Sequence, residues 1–82
     1  MTQNDKLRAR LRERVFSGWT FPEVDRVLLL EGFQRVGSSG SHHTYKHTEH
    51  PHLFTVPWRT SEIKHQYLRE LLKIITKLES QR

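Results

Sequence analysis

With 82 residues and no cysteine, the chain has room for one small core that buries only about 60% of its unfolded surface, and it excludes a disulfide framework or a thiolate metal site. Fourteen Lys and Arg against nine Asp and Glu leave a formal charge of +5, which favours a polyanionic partner such as RNA, DNA or a strongly acidic protein. The longest apolar run, Val27 to Leu30, is far too short to span a bilayer, and the start MTQNDKLRARLRER lacks the apolar stretch of a secretory signal, so a soluble, cytoplasmic protein with a shallow open site and no enclosed cofactor is expected.

Asn4 or Asp5 can cap a first helix in which Leu7, Leu11 and Val15 recur every fourth residue, with Lys6, Arg8, Arg10, Arg12 and Arg14 on the other faces. Ser17-Gly18-Trp19 breaks it, so residues 1–19 are expected to form a basic helical arm that docks loosely, and 20–82 the main domain. Thr20 and Glu23 have capping-box spacing, Pro22 lies in the first turn, and Val24, Val27 and Leu28 make one helical face. Gly32 then suits the left-handed C-terminal cap of this second helix.

Three extended segments follow: FQRV (33–36), SHHTYKH (41–47) and LFTVP (53–57), separated by the Gly-Ser loop 37–40 and a turn around TEHPH. Such short connections favour an antiparallel meander. A last helix is expected from a Thr60 or Ser61 cap, with Ile63, Tyr67, Leu71, Ile74 or Ile75, and Leu78 on its apolar side. The fold class is therefore α+β: an arm helix, then α-β-β-β-α, with the two main helices on one face of a three-stranded antiparallel sheet and the other face open to solvent.

Five of the six histidines (His42, His43, His47, His50, His52) fall within eleven residues. Zinc needs ligand nitrogens close together, yet His42 and His43 point to opposite faces of a strand, and His43 and His47 lie ~13 Å apart at ~3.3 Å per residue. No metal site is expected, and His47, His50 and His52 read as solvated. If Tyr45 packs under the helices, His43 shares its face and His42 points outward. His42 also follows Gly40-Ser41, where a missing Cβ lets a nucleotide backbone approach and a hydroxyl can contact phosphate. An imidazole there can take the proton of an RNA 2′-OH or give one to the leaving 5′-oxygen without a metal. The residues alone leave three uses open: catalysis, RNA binding without chemistry, or a merely exposed side chain.

The run GFQRVGSSGSHHTYKH, followed by LFTVPWRTSEIKHQYLRELLK, resembles the HicA toxin family of HicA/HicB toxin-antitoxin systems over roughly Phe21 to Lys77. The resemblance rests on a Gly-aromatic first strand, the Gly40-Ser41-His42-His43-x-Tyr45 second strand, a third strand ending in Val56-Pro57, and the final helix. It implies a fold like that of double-stranded-RNA-binding domains, a ribonuclease that cleaves mRNA, and a single catalytic histidine, which falls on His42. It also implies a small acidic HicB-like antitoxin that covers the active face. Two features depart from the family pattern: the arm 1–19, and TSEIKHQY with His65 before the last helix. Beside Gly40 and Ser41, the candidate RNA contacts are Arg35, Lys46, Arg59 and Lys64, each of which a solvated charge would also explain. Cofactors and metals are not called for. A non-catalytic RNA-binding module is the alternative from the same residues, and a protein-interaction subunit the third.

Overall fold

The computed structural model describes residues 2–81 and runs α1 (Gln3–Arg12), α2 (Phe21–Leu30), β1 (Gln34–Ser39), β2 (His42–His47), β3 (His50–Pro57) and α3 (His65–Ser80). The strands form one antiparallel sheet in the order β1-β2-β3, so the α+β class and the meander are as expected. Alternation along β2 and β3 divides the sheet into two faces. Tyr45, Phe54 and Val56 are buried with Val24, Val27 and Leu28 of α2 and with Leu68, Leu71, Leu72, Ile74, Ile75 and Leu78 of α3. On the other face His42, Lys46, Leu53 and Thr55 are exposed.

The arm does not dock loosely. Leu7 and Leu11 of α1 and Trp19 beyond it are all buried in the same core. The Trp19 indole donates to the Val15 carbonyl at 2.7 Å, and the Arg10 guanidinium lies 4.6 Å over its ring. The cap falls earlier than Asn4 or Asp5: the Thr2 hydroxyl accepts from the Asp5 N–H, and the Asp5 carboxylate accepts from the Thr2 N–H, a complete capping box. Val15 lies past the helix end and is 44% exposed, so the apolar stripe is completed by Trp19 instead. The arginines of α1 are tied down by carboxylates, Arg8 to Glu31, Arg10 to Glu23 and Arg12 to Glu79.

At α2 the Thr20–Glu23 capping box forms, the Glu23 carboxylate accepting from the Thr20 N–H at 3.0 Å. Its end is a Schellman closure: the Gly32 N–H donates to Leu29 O and the Phe33 N–H to Leu28 O, with Gly32 at φ +93°. A side chain there would be strained, and a Cβ would also stand 3.1 Å from Nε2 of His47.

β1 and β3 are longer than expected, while β2 begins one residue later, at His42. Gly37, Ser38 and Ser39 pair with Thr44, His43 and His42, so only Gly40 and Ser41 remain in the turn. A register shift between Arg35 and Gly37 leaves Val36 as a bulge, and Gly40 at φ +57° supplies the positive φ at the first central position of a two-residue hairpin, as in a type II′ turn. Likewise β3 begins at His50 and the turn contracts to Thr48-Glu49. Pro51 is tolerated because β3 is an edge strand.

The third helix begins later than Thr60 or Ser61, at His65 after Lys64. Ile63 is fully buried, as its place in the apolar series predicted, but from the connecting segment: its N–H donates to Trp19 O at 2.7 Å. That bond holds residue 63 out of helical pairing and links the start of α3 to the end of the arm.

Candidate functional site

His42 opens β2 directly after the Gly40-Ser41 turn, with Ser39 on one side and Pro57 on the other as its strand partners. Its side chain is exposed, and its Nδ1 lies 3.4 Å from the Ser41 hydroxyl oxygen. The turn is held from the far end of β3. The Trp58 N–H donates to Ser41 O at 2.9 Å, and the Trp58 indole N–H donates to Gly40 O at 3.3 Å. Both carbonyls of the turn are thus satisfied by one residue, which fixes the backbone that carries His42.

Behind His42 the side chains form a layered edge. The His43 ring stacks on Trp58 at 5.2 Å between centroids and 23° between planes, and packs against Phe21 on α2 at 5.2 Å and 39°. The Arg59 guanidinium covers Trp58 at 4.7 Å. Tyr45 is fully buried, and its hydroxyl donates to Asp25. Burial first, and then the bond to Asp25, push that hydroxyl up to about 12, so it does not release its proton at neutral pH. His43 and Tyr45 both face the helices, as the alternation predicted, and His42 faces solvent.

The candidate cations are distributed unevenly. Arg59 lies at the His42 end of the sheet through its stack on Trp58. Lys46 is exposed on the open face, but four residues along the strand from His42, ~13 Å at ~3.3 Å per residue. Lys64 is exposed at the N-cap of α3. Arg35 stands opposite Tyr45 in the register, on the helix-facing side, where it bonds Asp25 at 2.8 Å and lies 5.8 Å over both Phe21 and Tyr45. The Asp25 bond is the main reason its guanidinium is held above its usual value. Gly40, Ser41 and His42 therefore share one hairpin, to which Arg59 is linked through Trp58, while Lys46 lies farther along the strand and Arg35 on the helix-facing side.

Two of the other histidines correct the solvated reading. His47 is 5% exposed, with its Nε2 3.0 Å from Glu31 O and its Nδ1 accepting from the Glu49 N–H at 3.0 Å. Half-buried His50 packs edge-on against exposed His52, with ring centroids 5.8 Å apart. Together with Gln66, Tyr67, Glu70 and Ile74 of α3 they line a cleft of about 460 Å³. Burial, and then His52 and Lys77, hold His50 below the usual imidazole range. No group of three or more His, Asp or Glu that could hold a metal ion occurs among the described residues. Trp58 carried no signal in the sequence, because its tie to Gly40 spans 18 residues and exists only through the pairing of His42 with Pro57.

Fold and site together define a small α+β domain that displays an exposed histidine on a clamped hairpin beside an open, basic-edged sheet. The chain belongs to the HicA toxin family: the family model, described as the HicA toxin of bacterial toxin-antitoxin systems, matches residues 21–76. Membership gives it the role of a toxin. The matched stretch runs from the start of α2 into the fourth turn of α3 and leaves α1 outside. No curated protein and no solved structure matches the chain. No helix among the described residues is long and apolar enough to cross a membrane.

Proposed function

We propose that this toxin is a metal-independent endoribonuclease that cleaves mRNA in the cytoplasm, with His42 as its general acid or base. The observation that carries the reading is the exposed His42 on a turn whose two carbonyls are both bonded by Trp58, since proton transfer needs an accessible imidazole held in one place. In the reaction the 2′-oxygen loses its proton and attacks the adjacent phosphorus. The P–O5′ bond breaks and the 5′-oxygen gains a proton, leaving a 2′,3′-cyclic phosphate and a 5′-hydroxyl. His42 carries one of these protons and water the other, because Tyr45 and His43 face the helices. Gly40 and Ser41 admit the scissile phosphate. Arg59, Lys46 and Lys64 offset its neighbours' charge, and Arg35, already bonded to Asp25, contributes least.

Membership in a toxin-antitoxin family implies an antitoxin partner. In this reading it is a small acidic HicB-like protein that lies on the open sheet face and covers His42, since opposite charge both steers and holds such a complex.

End-labelled RNA incubated in EDTA tests the proposal. His42→Ala is expected to unfold within about 0.5 kcal/mol of the wild type, as an exposed side chain, and to cleave at least about 100-fold more slowly. Wild-type cleavage by the His42→Ala protein, or activity lost in EDTA and restored by magnesium, overturns the mechanism. RNA binding with no cleavage by the wild type selects the non-catalytic module.

A further inference from the structure

The arginines of the described chain are used unequally. Arg8, Arg10, Arg12 and Arg35 are ion-paired to carboxylates, Arg26 donates to Asn4, and Arg59 lies on Trp58. Arg14 and Arg69 have no such contact among the described residues. These two, with Lys73, Leu72 and Thr76, line a cleft of about 360 Å³ between the end of the arm and α3. Leu72 is its buried floor at 7% exposure, while the cations and Thr76 are exposed. No carboxylate among the described residues lines it.

Arg14 is also held in an unfavourable conformation. Its N–H donates to Leu11 O and the Val15 N–H to Arg10 O, a Schellman closure with Arg14 at the left-handed position, φ +61°. Glycine is the favoured residue there, because a Cβ is strained in this conformation. Gly32 fills the same position at the end of α2. The arm thus ends on a strained residue whose side chain joins two further cations, the combination of strain and unbalanced charge that marks a binding site.

We infer that the Arg14–Arg69–Lys73 cleft is a second RNA-binding site that takes backbone phosphate, on the helical side of the molecule away from His42. Three cations and a hydroxyl, with no carboxylate among the described lining residues, match phosphate oxygens. No described residue there offers the aromatic or exposed apolar anchors of a protein interface or reads a base edge through an amide or carboxylate, so recognition is independent of sequence. The assignment rests on RNA as the partner of this toxin, but not on its cleavage.

His42 is exposed on the sheet face turned away from the core helices, and the cleft is lined by exposed residues of α3 and Arg14, so we place the two sites across a body whose shortest extent is 22 Å. An RNA serving both has to run more than that distance around the body, beyond the reach of a tetranucleotide. The cleft therefore selects long RNA over short fragments, which favours messages over the products of their cleavage.

The test uses the full chain with His42→Ala, so that the RNA survives, and a 30-nucleotide single strand against a tetranucleotide. Arg14→Gln/Arg69→Gln/Lys73→Gln is expected to weaken the 30-mer by more than tenfold at 0.1 M salt. Its log–log salt slope should become shallower by about 2, three phosphates at ~0.7 each. The tetranucleotide, too short to serve both sites at once, should lose clearly less than the 30-mer. A control with Lys6, Arg26 and Lys77 changed to Gln removes the same charge elsewhere and should have a clearly smaller effect. Arg14→Gly alone should melt at a higher temperature than its parent and bind the 30-mer more weakly, because it relieves the strain and removes the cation. Undiminished 30-mer binding by the triple variant, or an equal loss in the control, overturns the inference. So does a loss confined to a polyglutamate probe, which would make the cleft a seat for an acidic protein. Wild-type protein that binds the 30-mer through the cleft yet cleaves nothing would sink the ribonuclease reading and leave this one standing.

Discussion

Replacing His47 separates the structural histidine from the exposed one. The Glu49 N–H donates to Nδ1, so the ring proton resides on Nε2 and is donated to Glu31 O, at the C-cap of α2. The ring also meets Phe33 edge-on at 5.0 Å. His47→Ala deprives one carbonyl and one N–H of partners, at ~1 kcal/mol each toward the low end for partly buried groups. The lost packing of a side chain only 5% exposed adds a further ~1 kcal/mol. The sum, about 3 kcal/mol, corresponds to a fall in Tm of roughly 12–24 °C for a domain of this size. Urea and thermal unfolding followed by circular dichroism measure it, with His42→Ala as the reference that should barely move. A double-mutant cycle refines the test. Gly32→Ala should cost about 1–2 kcal/mol for its left-handed backbone plus crowding against Nε2 of His47 at 3.1 Å, and the crowding disappears when His47 is already Ala. A His47→Ala protein within 0.5 kcal/mol of the wild type, or costs that add without coupling, would refute the packing described here.

Trp58→Phe keeps a ring to stack on His43 and removes the indole donor to Gly40 O. It should cost less than about 1 kcal/mol of stability and lower the cleavage kcat about tenfold with KM unchanged, so an unaltered kcat would show that the turn needs no clamp. Partial burial raises the Glu23 carboxyl, but the Thr20 N–H and the Arg10 guanidinium outweigh it and hold the group below its usual range. The folded state therefore binds fewer protons, and the contribution of Glu23 is complete above the unfolded value of about 4.3 and fades as pH falls through the lower folded one. Glu23→Gln should be less stable than the wild type at pH 7, with a gap in urea unfolding that narrows toward pH 3; a constant gap would exclude the ionised carboxylate as its source.

What the sequence determined by itself was local. The Thr20–Glu23 box, the left-handed Gly32 and the Val24, Val27, Leu28 face all depend on residues within one or two turns of each other, so spacing suffices to read them. The inward Tyr45 and outward His42 follow from the two-residue period of a strand. Tertiary structure decided whatever depends on partners far along the chain. Pairing with β2 drew Gly37–Ser39 into β1 and His50–His52 into β3, because a ladder satisfies backbone groups that a loop leaves to water. The Trp19–Ile63 bond delayed α3, and the α2 C-cap turned His47 from a solvated side chain into a buried one. Four carboxylates drawn from across the chain neutralised Arg8, Arg10, Arg12 and Arg35 and left Arg14, Arg69 and Lys73 around an open cleft. Composition counts charges, but only the folded chain determines which of them remain free to bind, because each ion pair needs two groups within about 4 Å that the sequence can place tens of residues apart.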